Sequence, residues 1–171
     1  MNWSQSFFQL ALWACVTIVT TSYGQVVGDQ CSSPWVQYRD SCYIFATGYP
    51  EDWTEAGSFC SRLGAKLAEI GSADENNFLR LHAFEINPEG HFWVGGTDVL
   101  VDGQWIWISS QEKIEYTDWG PGEPNGAIRE GCLMLNGGKY HFHWNDANCH
   151  SLQSFICEKQ LDLGGSPSVI G

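Results

Sequence analysis

The sequence predicts a single α+β domain with two helices in its first half and a strand-and-loop second half. Three observations predict it. Two capped, helix-periodic stretches lie between residues 52 and 87. From residue 92 the apolar residues fall instead into short runs of three or four, separated by turn chemistry. Six cysteines are spread from Cys31 to Cys157, an even number that suits three disulfides closing one compact unit.

The chain has 171 residues with 20 acids against 8 bases, a net charge of −12. That length allows one domain, and the apolar fraction of 43% is enough for a packed core. The acidity argues against nucleic acid, whose binding needs a basic patch to displace counterions, and against docking on anionic membranes. It suits a hard cation or a solvated acidic face.

Residues 1–24 contain no Lys, Arg, Asp or Glu. Phe7 to Val19 is a mostly apolar run of 13 residues, short for a membrane span and suited to the core of a signal peptide, although a basic leading residue is missing. Cleavage is expected near Gly24. Cys15 would leave with the signal, and the mature chain would be secreted into an oxidising compartment. No membrane insertion is expected after cleavage. Residues 25–30 read as a short leader, 31–158 as the domain and 159–171 as a flexible tail.

Within the domain, Trp35, Tyr38, Tyr43 and Phe45 surround Ser33-Pro34 and Arg39-Asp40-Ser41, which predicts a small hairpin. Asp52 with Glu55 three residues on is a helix start, and Trp53, Ala56, Phe59, Cys60 and Leu63 follow at helical spacing up to Gly64. Ala65 to Ile70 suits a short strand. Ser72 with Glu75 opens a second helix, striped by Phe78, Leu79, His82 and Ala83 and ended by Asn87-Pro88. His82 is a helix-face residue with nothing near it to complete a site. Strands are then expected at Phe92-Trp93-Val94, Trp105-Ile106-Trp107-Ile108, Leu133-Met134-Leu135 and Ser154-Phe155-Ile156-Cys157. Residues 109–131 show little periodicity, and a long ordered loop in a compact domain is usually functional.

That loop and the strand after it carry the candidate chemistry. Glu123-Pro124-Asn125, Glu130 and Trp144-Asn145-Asp146 place five oxygen-bearing side chains within 24 residues. Ca²⁺ takes 6–8 oxygen ligands in an adaptable cage, and three carboxylates with two amides are a fitting donor set. The same residue types are also what turns demand, so composition alone leaves both readings open. A zinc site built from His141, His143 and His150 is the weaker metal reading, and no CxxC supports it. No Ser/His/Asp or Cys/His pattern indicates an enzyme.

From Cys31 to Glu158 the chain resembles the C-type lectin-like domain in its long form. The resemblance is carried by Gly64-Ala65-Lys66-Leu67-Ala68, Phe92-Trp93-Val94-Gly95-Gly96, Gly103-Gln104-Trp105-Ile106-Trp107, Tyr116-Thr117-Asp118-Trp119 and Phe155-Ile156-Cys157-Glu158. It implies disulfides Cys31–Cys42, Cys60–Cys157 and Cys132–Cys149. It also matches Glu123-Pro124-Asn125 to the family's EPN motif and Trp144-Asn145-Asp146 to its WND motif, with Glu130 on the remaining ligand position and Pro124 in the cis form. The resemblance thereby implies a Ca²⁺ site built from Glu123, Asn125, Glu130, Asn145 and Asp146. Its ligands would be glycans with equatorial vicinal hydroxyls: mannose, fucose, glucose and N-acetylglucosamine, including those on pathogens. The galactose-type order, Gln-Pro-Asp, is absent. His143 is expected to border the sugar, with His141 on the same strand face. Asp98 and Asp102 match two positions of an auxiliary Ca²⁺ site, but Gly126 and Gly131 stand where relatives often carry acids, so that site should be weak or absent. No coiled coil or collagen stalk is present, so a homo-oligomer for avidity would form through the domain or its partners. The rival reading keeps the fold and uses another surface for protein, ice or mineral.

Overall fold

The computed structural model describes residues 31–126 and 129–161. The expected signal peptide, the leader and residues 162–171 of the tail lie outside the described residues. A hairpin of β1 (Val36–Tyr38) and β2 (Ser41–Glu51) leads into helix α1 (Trp53–Arg62), β3 (Lys66–Leu67) and helix α2 (Ala73–Ile86). Then come β4 (His91–Thr97), β5 (Ile106–Trp107), β6 (Cys132–Asn136), a 3₁₀ turn at Gly138–Tyr140, β7 (His143–Ala147) and β8 (Gln153–Gln160).

The helices begin where the capping chemistry places them. Asp52 accepts from the Glu55 N–H at 2.9 Å and Ser72 accepts from the Glu75 N–H at 3.3 Å. Helix α1 stops at Leu63, and Gly64 takes φ +66°, a left-handed conformation that costs glycine nothing.

The strands form one sheet in the order β1-β2-β8-β4-β6-β7, with β3 added to β8 and β5 to β4. Among the described strands only the β4–β8 pairing is parallel. Strand β8 therefore lies between β2 and β4 and ties the chain's end to its beginning. Strand β8 runs two residues past Glu158. Lys159 and Gln160 pair with Cys42 and Ser41, and the Leu161 N–H donates to Asp40 O at 2.7 Å.

Two apolar clusters share this sheet. One packs Leu79 and Ala83 of α2 against Phe92, Val94, Leu133, Leu135, Trp144 and Ile156. The other gathers Ala56 and Cys60 of α1 with Trp93, Met134 and Phe155. The three disulfides are Cys31–Cys42, Cys60–Cys157 and Cys132–Cys149, as the resemblance implies. The second closes 97 residues of chain, which is worth about 4–5 kcal/mol of denatured-state entropy. The third closes 17 residues, worth about 3 kcal/mol, and links β6 to the segment just after β7.

Candidate functional site

The loop before β6 lacks regular structure, yet specific bonds fix its course. The Trp144 N–H donates to Asp118 O at 2.9 Å, and the Gly120 N–H donates to Trp144 O at 2.8 Å. Trp119 thus runs beside Trp144 as a one-residue parallel bridge. Trp119, Tyr116 and Trp107 all meet the Trp144 ring edge-on, which closes the loop's apolar side. The Glu123 N–H then donates to Gly120 O at 3.0 Å, turning the chain toward the end of β7.

This course brings Glu123-Pro124-Asn125 to Asn145-Asp146. The Glu123–Pro124 peptide is cis. The Asn125 N–H lies 3.0 Å from each carboxylate oxygen of Asp146, and the Gly126 N–H donates to Asp146 Oδ2 at 2.7 Å. Asn145 Oδ1 accepts from Asn136 Nδ2 at 3.3 Å, and Asn145 Nδ2 faces the Asp146 carbonyl. Glu130 lies against Gly126, where any side chain at position 126 would collide with Glu130 Cβ and Oε2. The glycine that departs from the acidic pattern is thus required by the packing of Glu130.

The electrostatics of Glu123 are unusual. Its Oε2 is buried and has no hydrogen-bond partner among the described residues. Burial pushes its carboxyl above the ordinary range. The neighbouring Asp146 and Glu130 carboxylates push the same way, and the nearby Asn125 side chain only partly offsets them. Among the described residues no three His, Cys, Asp or Glu side chains are gathered as a metal cluster on their own. Two of the five candidate donors are amides, and Asp146 is turned toward backbone N–H groups.

The histidines differ from expectation. His141 is not on β7. It sits at φ +51° in the left-handed turn that ends the 3₁₀ segment, with Phe142 at φ +60° after it, so His141 and His143 do not share a strand face. The Phe142 ring is buried and its N–H donates to Asn136 O at 2.7 Å, which imposes this tight entry into β7. His143 does stand on β7, with Nδ1 3.0 Å from Asp118 Oδ1.

Among the described residues, Asp98 and Asp102 form no second cluster. Asp98 is buried, and its Oδ2 accepts from the Gly103 N–H at 2.9 Å, so it closes its own turn. Burial, with the charges of Asp102 and Asp146, raises the Asp98 carboxyl above its ordinary range, and the Gly103 bond pulls it back.

The family model described as "Lectin C-type domain" matches residues 49–159. The chain belongs to the C-type lectin domain family. Perlucin of Haliotis laevigata is 36% identical over 131 residues, spanning 76% of this chain and 83% of that protein. The C-type carbohydrate-recognition domain of cow CD23, solved in the presence of a GlcNAc2Man3 oligosaccharide, is 33% identical with TM-score 0.67. That alignment covers 76% of this chain and 95% of that one. Herring type II antifreeze protein is 31% identical with TM-score 0.69, covering 77% of this chain and 99% of that one. Relatives of this C-type lectin domain therefore include a carbohydrate-recognition domain and an antifreeze protein, and the fold alone does not choose between those uses.

The sequence pattern did not reveal what anchors the site. The hydrogen-bond network around Asp118 joins α2 to β7, and its members Asn76 and Arg80 carry no sequence signal of that role. Asp118 belongs to a recognised run, Tyr116 to Trp119, but its partners become visible only in three dimensions.

Proposed function

We propose that this domain is a secreted, Ca²⁺-dependent lectin for glycans with equatorial vicinal hydroxyls. One observation carries the reading: the buried, unpartnered Glu123 Oε2, beside Asp146 and Glu130, in the turn that also presents Asn125. A buried carboxylate oxygen without a partner costs free energy, and crowding by like charge adds to the cost. A divalent cation would relieve both, and the donor set is all oxygen, as Ca²⁺ prefers.

The residues that would hold the ion are Glu123, Asn125, Glu130, Asn145 and Asp146. When bound, the ion would supply coordination sites for two neighbouring sugar hydroxyls. The chain itself supplies the discrimination. A glutamate carboxylate can only accept hydrogen bonds, whereas an asparagine amide also donates two. The order Glu123 before Asn125 therefore fixes where acceptors and donors stand around a diol, and favours mannose-type sugars. His143 would border the sugar with the edge of its ring opposite Nδ1, since Nδ1 is committed to Asp118. Secretion rests on the apolar, uncharged residues 1–24, and no helix among the described residues is long and apolar enough to cross a membrane. A shallow monovalent sugar site binds weakly, so a homo-oligomer would supply avidity.

The antifreeze relative keeps a second reading in view, in which an exposed surface meets ice, mineral or protein without sugar. It is favoured by the neighbouring Val99, Leu100 and Val101, which are 66%, 67% and 51% exposed. Retention on mannose–agarose in CaCl₂ with elution by EDTA separates the two. Failure to bind in Ca²⁺ would reject the lectin reading for mannose-type sugars.

A further inference from the structure

Asp118 lies five residues before Glu123 and is bonded to none of the proposed ligand side chains, yet its carboxylate meets three different side chains, Asn76, Arg80 and His143. Its Oδ2 accepts from Asn76 Nδ2 at 2.7 Å and from Arg80 Nη1 at 2.9 Å, both on α2. Its Oδ1 pairs with His143 Nδ1 at 3.0 Å, and because a carboxylate only accepts, Nδ1 must carry the proton. Its backbone carbonyl accepts from the Trp144 N–H. The network closes on itself. Trp144 Nε1 donates to Asn76 Oδ1 at 2.8 Å, and Arg80 Nε donates to His141 O at 3.0 Å.

Three elements are thereby pinned at one carboxylate: helix α2, the entry and start of β7, and the strand-like run 118–120 that leads to Glu123. Trp144 directly precedes Asn145, and Gly120 receives the turn that presents Glu123. The two halves of the candidate site, Glu123/Asn125 and Asn145/Asp146, come from separate segments. Their mutual position is set by the Asn125 and Gly126 N–H bonds to the Asp146 carboxylate and, from outside the site, by the charge-assisted bonds of Asp118. Arg80 and Asp118 side chains are only 23% and 20% exposed, so solvent screens the pair weakly.

Resting on the Ca²⁺ reading above, we infer that Asp118 is a positioning residue of the cation and sugar site, holding the Glu123 segment in register with β7 from α2. Partners bonded directly to metal ligands typically cost about 10- to 100-fold in metal affinity when removed, and Asp118, which acts one step further out, belongs at the low end of that range. Asp118→Asn keeps the shape but removes the charge and places an amide N–H₂ against donors already present. The variant should bind CaCl₂ about tenfold more weakly by calorimetry while remaining folded in EDTA by circular dichroism. It should also lose hydrogen-exchange protection at the Asn125 and Gly126 N–H groups in EDTA, a readout that needs no metal. Glu158→Gln, a change to a buried acid outside the loop half, should leave Ca²⁺ affinity unchanged. A wild type that takes up Ca²⁺ with an Asp118→Asn variant of equal affinity and equal protection overturns the positioning role alone. A wild type that takes up no Ca²⁺ overturns the underlying reading instead. Should Asp118→Asn fail to fold, Arg80→Met removes two of the bonds from the helix side. It must then weaken Ca²⁺ binding in the same direction, and unchanged affinity rejects the inference.

Discussion

The half of the molecule built on β1, β2, β8 and α1 and the half built on loop 98–131 with β7 achieve order by different means. In the first, backbone pairing is continuous. Strand β2 runs against β8 through six successive register pairs from Ser41 to Ala46, and the Cys60–Cys157 disulfide pins α1 to β8. In the second, regular structure is scarce. Single carboxylates hold segments together: Asp98 closes its own turn, Asp118 gathers α2 and β7, and Asp146 receives the Asn125 and Gly126 N–H groups. The difference teaches where function can reside. A ladder spreads stability over many equivalent bonds and leaves no polar group free. A loop held by a few directed bonds can leave one group, here Glu123 Oε2, buried without a partner.

The largest expected effect breaks the comparison at its disulfides. Replacing Cys60 and Cys157 by Ala together should cost about 4–5 kcal/mol, because the closed loop of 97 residues spans most of the domain. Replacing Cys132 and Cys149 should cost about 3 kcal/mol. Denaturant titration checks the order of the two losses. The halves predict a further asymmetry. If the second variant remains folded it should lose Ca²⁺ affinity beyond its loss of stability, because that bridge clamps the ends of the segments bearing Glu130 and Asp146. Equal and purely global effects would show that the two halves do not behave separately.

The same contrast explains how far each half was legible in the sequence. Helix caps at Asp52 and Ser72, the glycine stop at Gly64 and the apolar runs around Trp93, Leu133 and Ile156 are local signals, and the elements stand where they place them. The disulfide pairing was not legible from spacing, since six cysteines permit fifteen pairings; it came from the resemblance. The course of the loop was legible only in part. Side-chain-to-backbone bonds across long sequence separations, such as Asn125 to Asp146, leave no periodic trace. The His141–His143 alternation failed because strand periodicity was extended over a turn. Two consecutive left-handed residues there have no glycine or asparagine to announce them.

A smaller effect sharpens the reading of the loop half. Glu123→Gln combined with Asn125→Asp reverses the acceptor and donor order without changing the size of either side chain. Preference between mannose and galactose in competition for the immobilised sugar should move toward galactose. A shift of about tenfold corresponds to about 1.4 kcal/mol, the scale of one rearranged hydrogen-bond pair. Retained mannose preference would mean that the order of these two side chains does not set specificity.

The smallest effect tests the ladder half, where the acid that matters is buried and partnered. Glu158 Oε1 accepts from the Ser41 hydroxyl at 2.9 Å, and Oε2 accepts from the Glu69 N–H at 3.1 Å. Lys66 Nζ stands 3.9 Å away and is closer to Glu69, at 2.6 Å. Burial nevertheless dominates and holds the Glu158 carboxyl above its ordinary range, with Glu75 adding to the rise. An acid whose folded value is raised binds its proton more tightly in the native state. Its contribution to stability is therefore complete below the unfolded value and is lost as pH rises through the folded one. Glu158→Gln removes that titration, so the decline of stability with rising pH above about 4.3, the ordinary glutamate value, should be shallower in the variant than in the wild type. Urea unfolding at a series of pH values measures the slope. An unchanged slope would mean that the Ser41, Glu69 and Lys66 contacts compensate fully for the burial of this carboxylate. Both halves would then satisfy their carboxylates in folding, leaving Glu123 the exception.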